Sequence, residues 1–363
     1  MKRVLLYAPM NPLRPDAPPS GDRAMTGLLA RALDRIGYRA EPASTLRTYD
    51  ATGDAARQSA IAEAAKAEIP RLIAAHRADP PALWITYLSY YKSPDHLGPE
   101  VAKALGIPYV IVEASDAPRR ATGDFAAPYA AAKAALAAAD AVIAMTAHDA
   151  AMLRQAVPPE RLHILPPFID AARFRDVPKK RGLTPLILSV AMLRPGKKLA
   201  NFPLIAAALA RIADLKWFYV VAGGGAGEAE ARAAFANFPA DRITFMGAVP
   251  PDAMPALYAR ADLYLWPGLK EAYGLSYLEA QASGAPVVAC DTAGVPAVVE
   301  RGRGGLLSPA GDPDALAQSL RILLMNRQTR DIMGEVAAEF VHGERDIAHA
   351  AQRLRGLLGS LGA

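Results

Sequence analysis

The sequence predicts an α/β protein built from two open parallel-sheet domains, and three observations carry that expectation. The chain has 363 residues, more than a single hydrophobic core usually organises, since cores stop growing at roughly 250–300 residues. Short apolar runs bounded by turn residues alternate with longer helical patterns, the signature of βαβ units. Between the two halves, Pro166–Leu183 is proline-rich, basic and aperiodic, which reads as a linker. The expected division is residues 1–166, a linker over 167–183, and 184–345.

In the first half the apolar runs Val4–Tyr7, Leu83–Tyr87, Tyr109–Val112, Ala141–Met145 and His163–Leu165 read as strands. Met25–Ile36, Ile61–Ala75 and Pro128–Ala138 read as helices between them. Gly106-Ile107-Pro108 ends a helix and delivers the chain to the next strand. In the second half the strands are Leu186–Val190, Trp217–Ala222, Ile243–Met246, Leu263–Trp266, Pro286–Ala289 and Gly305–Leu307. Asn201–Ile212, Glu228–Ala236, Met254–Ala259, Ser276–Ser283 and Pro313–Met325 are the helices. A last helix, within residues 346–363, follows the second domain and is expected to pack back on the first. No short-period repeat points to a solenoid.

Composition narrows the class. With 52% hydrophobic and 21% charged residues the chain lies in the globular range. No apolar run reaches the roughly 18 residues a membrane helix needs. Met1–Pro9 has too short an apolar core for a leader and reads as a first buried strand. The single cysteine, Cys290, fits a reducing compartment, so a cytoplasmic address is expected. A net charge of +5 suits anionic partners, yet no aromatic interleaving or recognition module supports nucleic acid. The histidines show no paired metal-ligand spacing, and no D-x-D pair occurs.

Open α/β sheets bind ligands beyond the carboxyl ends of their strands, so the loops there hold the candidate chemistry. The most informative runs from Pro267 to Ala280. Gly274 permits close backbone approach to a ligand, and the free N–H groups of the helix starting near Ser276 attract phosphate. Glu271 can accept hydrogen bonds from sugar hydroxyls, and Glu279 can take both ribose hydroxyls. A structural reading of the same residues stays open: Ser276-x-x-Glu279 is a capping box.

The surrounding residues resemble family 4 of the retaining glycosyltransferases, the group 1 type, which has the GT-B fold. Members read P-S-x-x-E-G-F-G-L-x-x-L-E-A-M-A-x-G-x-P-V-V-A, with an E-x7-E pair. This chain gives Pro267, Glu271-Ala272-Tyr273-Gly274-Leu275, Leu278-Glu279-Ala280 and Gly284-Ala285-Pro286-Val287-Val288-Ala289. Gly294-Val295-Pro296, Gly305-Leu306-Leu307 and Gly311-Asp312-Pro313 resemble further family stretches, and Phe245-Met246-Gly247 resembles the segment that meets the nucleotide base. The likeness is specific over Leu186–Leu320. It implies two Rossmann-like domains facing each other across a cleft, the second holding a nucleoside-diphosphate sugar and the first an acceptor.

The resemblance implies roles residue by residue. Glu271 orients the donor sugar. Glu279, Tyr273, Gly274, Leu275, Ser276, Gly223 and Met246 line the nucleotide. The family's Arg/Lys loop aligns with Ala191–Lys198; Lys197 falls on the lysine, Met192 replaces the arginine, and Arg194 is the nearest cation. For Arg194 and Lys197 a basic surface turn is the alternative. Gly223–Gly227 misses the dinucleotide register. In the first half Gly21 keeps one glycine of the family's loop, and Arg23 adds a cation at the helix start. Glu113 and Asp116, near the family's usual histidine, are acceptor-side candidates, with solvated loop acids as the equal alternative.

The implied activity is metal-independent, retaining hexosyl transfer to a glycan, lipid-linked or small-molecule hydroxyl, in envelope or polysaccharide synthesis, without a cofactor. A non-catalytic nucleotide-sugar binder and a sugar epimerase are the alternatives. Met25–Arg35, with Arg23, Arg31 and Arg35, offers a basic surface for peripheral contact with an inner membrane, or packs on the sheet.

Overall fold

The computed structural model describes residues 1–14, 20–179, 182–196 and 198–362. It divides into two units, Met1–Pro166 with Ile347–Ala363, and Pro167–Asp346.

The first unit runs β1 (Lys2–Tyr7), α1 (Gly21–Asp34), β2 (Tyr38–Pro42), α2 (Ala55–His76), β3 (Leu83–Ser89), α3 (Gly98–Leu105), β4 (Tyr109–Ala114), α4 (Ala126–Ala138), β5 (Ala141–Ala144), α5 (Ala147–Leu153) and β6 (Leu162–Ile164). Its sheet has the order β2-β1-β3-β4-β5-β6, with every pair parallel. Val4–Tyr7 and Ala141–Ala144 are buried throughout, because crossover helices cover a parallel sheet on both faces. Ser20 caps α1 by accepting from the Arg23 amide, so this helix starts four residues before the expected Met25. Gly106 ends α3 in the left-handed region at φ 65°. β2 went unread in the sequence, since only Tyr38 of its five residues is buried.

The second unit runs β7 (Leu186–Val190), α6 (Asn201–Ala210), β8 (Phe218–Ala222), α7 (Glu228–Ala233), β9 (Ile243–Gly247), α8 (Met254–Tyr258), β10 (Leu263–Leu265), α9 (Leu275–Ala282), β11 (Val287–Cys290), β12 (Gly305–Ser308), α10 (Pro313–Met325) and α11 (Arg327–Glu344). Its order is β12-β11-β10-β7-β8-β9, again parallel. Its ends are tied together: the Ile169 amide donates to the Arg345 carbonyl at 3.0 Å and the Ala171 amide to Asp346 Oδ2 at 3.1 Å. The chain then returns to the first unit as α12 (Ile347–Ser360), which packs on α1. Among the described residues no helix is long and apolar enough to cross a membrane.

In the second sheet the chain goes one way from β7 through β9 and the other way from β10 through β12. The switch point therefore lies between β7 and β10, and the loops after these two strands part there to leave a crevice.

Candidate functional site

The loop after β7 covers residues 191–200 and the loop after β10 covers 266–274. One buried side chain ties them together. Asn201 accepts from the Leu269 amide at 3.0 Å through Oδ1, while its Nδ2 donates to the Lys198 carbonyl at 3.0 Å. Across the same switch point Lys198 Nζ lies 3.2 Å from Glu271 Oε2. The Glu271 side chain is 15% exposed and that of Lys198 is 42% exposed, so the pair opens to solvent on the lysine side. Trp266 Nε1 also donates to Glu271 Oε2, at 3.4 Å.

Gly274 turns the chain from this loop into α9. Its φ of 80° lies in the left-handed region, and a side chain there would overlap the Tyr277 ring. No side chain caps α9, which begins at Leu275. This corrects the capping-box reading. Ser276 lies inside the helix and its Oγ accepts from the Tyr264 hydroxyl at 2.8 Å, while Glu279 Oε2 accepts from the Tyr258 hydroxyl at 2.8 Å. Glu279 is thus not spent on the helix start; the Tyr277 amide donates to the Gly274 carbonyl at 3.3 Å, and no side chain caps the Leu275 and Ser276 amides ahead of it.

Three buried tyrosines hold this face in place. Besides the bonds from Tyr258 and Tyr264, the Tyr277 hydroxyl donates to the Trp266 carbonyl at 3.0 Å. Desolvation raises the Glu279 carboxyl above its ordinary value; the Tyr258 bond and the charge of Arg173 draw it partly back.

The glycine run after β8 serves close packing between loops. Gly223 has a φ of 133°, and a Cβ there would overlap the Ala191 carbonyl oxygen. The Gly223 amide donates to the Gly247 carbonyl at 2.7 Å, next to Met246, whose side chain is exposed at the end of β9. Tyr273 is buried, its Cα close to Gly294 of the loop after β11. Arg194 is exposed on the β7 loop, with its amide turned back to the Met192 carbonyl at 2.9 Å. Lys197 lies outside the described residues.

In the first unit Gly21 begins α1, and Arg23 sits in its first turn with its amide on the Ser20 hydroxyl. Glu113, one residue before the end of β4, has a φ of 60° and accepts from the Tyr87 hydroxyl at 2.7 Å. Asp116 accepts from the Tyr129 hydroxyl at 3.0 Å. Both acids are held by tyrosines, unlike freely solvated loop carboxylates.

Residues 170–340 match the family model described as glycosyl transferases, group 1. This segment is a group 1 glycosyl transferase domain. It contains the switch-point loops, the Glu271–Lys198 pair and the whole of α9. The chain is 30% identical over 200 residues to a GDP-mannose-dependent α-(1-6)-phosphatidylinositol monomannoside mannosyltransferase of Mycobacterium tuberculosis, covering 51% of this chain and 52% of that one. It thus spans about half the length of that relative. Among solved structures it superimposes on a UDP-forming α,α-trehalose-phosphate synthase from Burkholderia xenovorans with a TM-score of 0.76 at 14% identity, over 99% of this chain and 100% of that one. A sucrose-phosphate synthase from Thermosynechococcus elongatus gives 0.72 at 19% identity, over 99% of each chain. At these identities the likeness establishes the fold, which is GT-B.

Sequence reading missed Lys198, Asn201 and Tyr258. The lysine was within reach, since Lys197-Lys198 offers two ammonium groups and alignment to the family picked the first. Asn201 and Tyr258 carry no motif; only tertiary packing brings them to the loops.

Proposed function

We propose that the protein transfers a glycosyl group from a nucleoside-diphosphate sugar to an acceptor hydroxyl with retained anomeric configuration. The observation that carries this reading is the Glu271–Lys198 pair bridging the switch point of the group 1 domain. The pair is open to solvent on its lysine side, where ion pairs contribute on the order of 1 kcal/mol or less, so a ligand can displace it. A donor diphosphate then takes the Lys198 ammonium, and the sugar's hydroxyls take the Glu271 carboxylate.

In this reaction the bond from the anomeric carbon to the phosphate oxygen breaks and a bond to the acceptor oxygen forms on the same face. Negative charge grows on the leaving diphosphate. Lys198, Arg194 and the open N–H groups of α9 stabilise it, supplying positive charge without a divalent ion. The departing phosphate oxygen takes the acceptor proton. Glu279, positioned by Tyr258, receives the ribose hydroxyls. The names of the similar proteins, one GDP-mannose-dependent and one UDP-forming, support a nucleoside-diphosphate donor. We assign acceptor binding to the first unit, through Arg23, Glu113 and Asp116, and place the activity in the cytoplasm in glycan or envelope synthesis.

Met192, at the position where the family resemblance implies an arginine, favours a second reading: a nucleotide-sugar binder without transfer. Incubation of the purified protein with UDP- and GDP-sugars and an acceptor mixture, read by nucleotide release, separates the two. Release is expected, falling by about 10²-fold in Glu271→Ala. Tight binding of a nucleotide sugar with no release would support the binder and overturn transfer.

A further inference from the structure

The first unit has a cavity that the donor chemistry does not use. It measures about 360 Å³, within the roughly 300–1,000 Å³ typical of small-molecule sites. It lies where the N-terminal halves of α2 and α4 meet the loops after β2 and β3. Ile61, Ala62, Pro94, Ala127 and Pro128 give it an apolar wall.

The polar groups at its edge are of two kinds. The charged ones are already engaged. Asp50 is buried and accepts from the Thr52 amide at 3.0 Å, the Thr52 hydroxyl at 2.9 Å, the Gly53 amide at 2.9 Å and Gln58 Nε2 at 3.1 Å. Burial alone would raise its carboxyl, but these four bonds outweigh it and hold it at about 2. Lys92 donates to the Ala51 carbonyl at 3.0 Å and lies over the Phe125 ring. Gln58 Nε2 also donates to the Asp124 carbonyl at 2.8 Å, so the floor is rigid.

His96 is the other kind. It is partly buried at the cavity wall, and its ring nitrogens take no hydrogen bond among the described residues. Desolvation lowers its pKa, more than neighbouring Asp95 raises it, so at neutral pH the imidazole is uncharged, with one donor and one acceptor.

We propose that this cavity binds a compact, uncharged ring alcohol, its apolar body against Ile61, Ala62 and Pro128 and its hydroxyl on the His96 imidazole. A charged ligand would lose its hydration against an apolar wall, with only Lys92, already on the Ala51 carbonyl and the Phe125 ring, to offset the loss for an anion. A purely apolar ligand would leave the imidazole dry and unpaired. A hydroxyl can pair with whichever ring nitrogen faces the cavity, donating to the bare nitrogen or accepting from the N–H. This site does not depend on the donor reading, because nothing in it needs the nucleotide.

The test is calorimetric titration of the full chain with 2-naphthol, and with naphthalene-2-sulfonate as its charged counterpart. Saturable 2-naphthol binding is expected, with the sulfonate at least about tenfold weaker. Ala62→Trp fills the cavity and His96→Phe keeps the ring but removes both nitrogens. Each is expected to weaken 2-naphthol at least about fivefold while leaving the unliganded melting temperature near that of the wild type. Absence of saturable binding to the wild type, equal binding of the sulfonate, or unchanged affinity in His96→Phe would overturn the proposal.

Discussion

At the scale of single residues, the site depends on what each carboxylate is bonded to. Glu279 is held by the Tyr258 hydroxyl on Oε2, and not by the α9 backbone, which leaves Oε1 for a ligand. Burial raises its carboxyl and the Tyr258 bond lowers it, so the sign of a substitution there is fixed. Tyr258→Phe removes the lowering contribution and moves the carboxyl further up. Glu279 then loses its charge at a higher pH as the solution is acidified. The acid limb of nucleotide binding, followed by titration calorimetry across pH, is expected to shift to higher pH in Tyr258→Phe. A limb that stays in place or moves down would separate Glu279 from nucleotide binding. The spacing of Glu271, Gly274 and Glu279 was legible in the sequence because a loop-to-helix turn is local. Their partners were not, since Lys198 lies 73 positions before Glu271 in sequence (271 less 198) and Tyr258 is on another helix. Ser276 misled for the same reason: a capping box is a local pattern, and the buried Tyr264 hydroxyl claimed its oxygen instead.

At the scale of elements, most strands were legible because parallel sheets are buried on both faces and read as continuous apolar runs. β2 escaped because it is an edge strand, largely exposed and ending at Pro42. α11 escaped because charged residues punctuate its buried stripe of Met333, Ala337 and Val341. Loops that carry the site depend on glycine where two backbones touch. Gly223→Ala combines an unfavourable φ with overlap onto the Ala191 carbonyl, and is expected to cost about 3 kcal/mol or more. Gly247→Ala, at φ 72° with open space around it, is expected to cost only about 1–2 kcal/mol. Urea unfolding of the two variants measures the difference. Equal costs would show that the β7 and β8 loops move apart without penalty.

At the scale of the molecule, two parallel sheets each place their loops at the carboxyl edge, and the second has its switch point between β7 and β10. Asn201 and the Lys198–Glu271 pair cross that point, which makes it one site and not two neighbouring loops. If the crevice holds a nucleoside diphosphate, the two members of the pair respond in opposite ways. Titration of UDP and GDP into the wild type, Lys198→Ala and Glu271→Ala tests this most directly. Lys198→Ala is expected to weaken the better nucleotide at least about tenfold. Glu271→Ala leaves the lysine free for phosphate, so its affinity is expected to equal or exceed that of the wild type. Unchanged affinity in Lys198→Ala, or a loss of similar size in both variants, would contradict a donor site at this switch point.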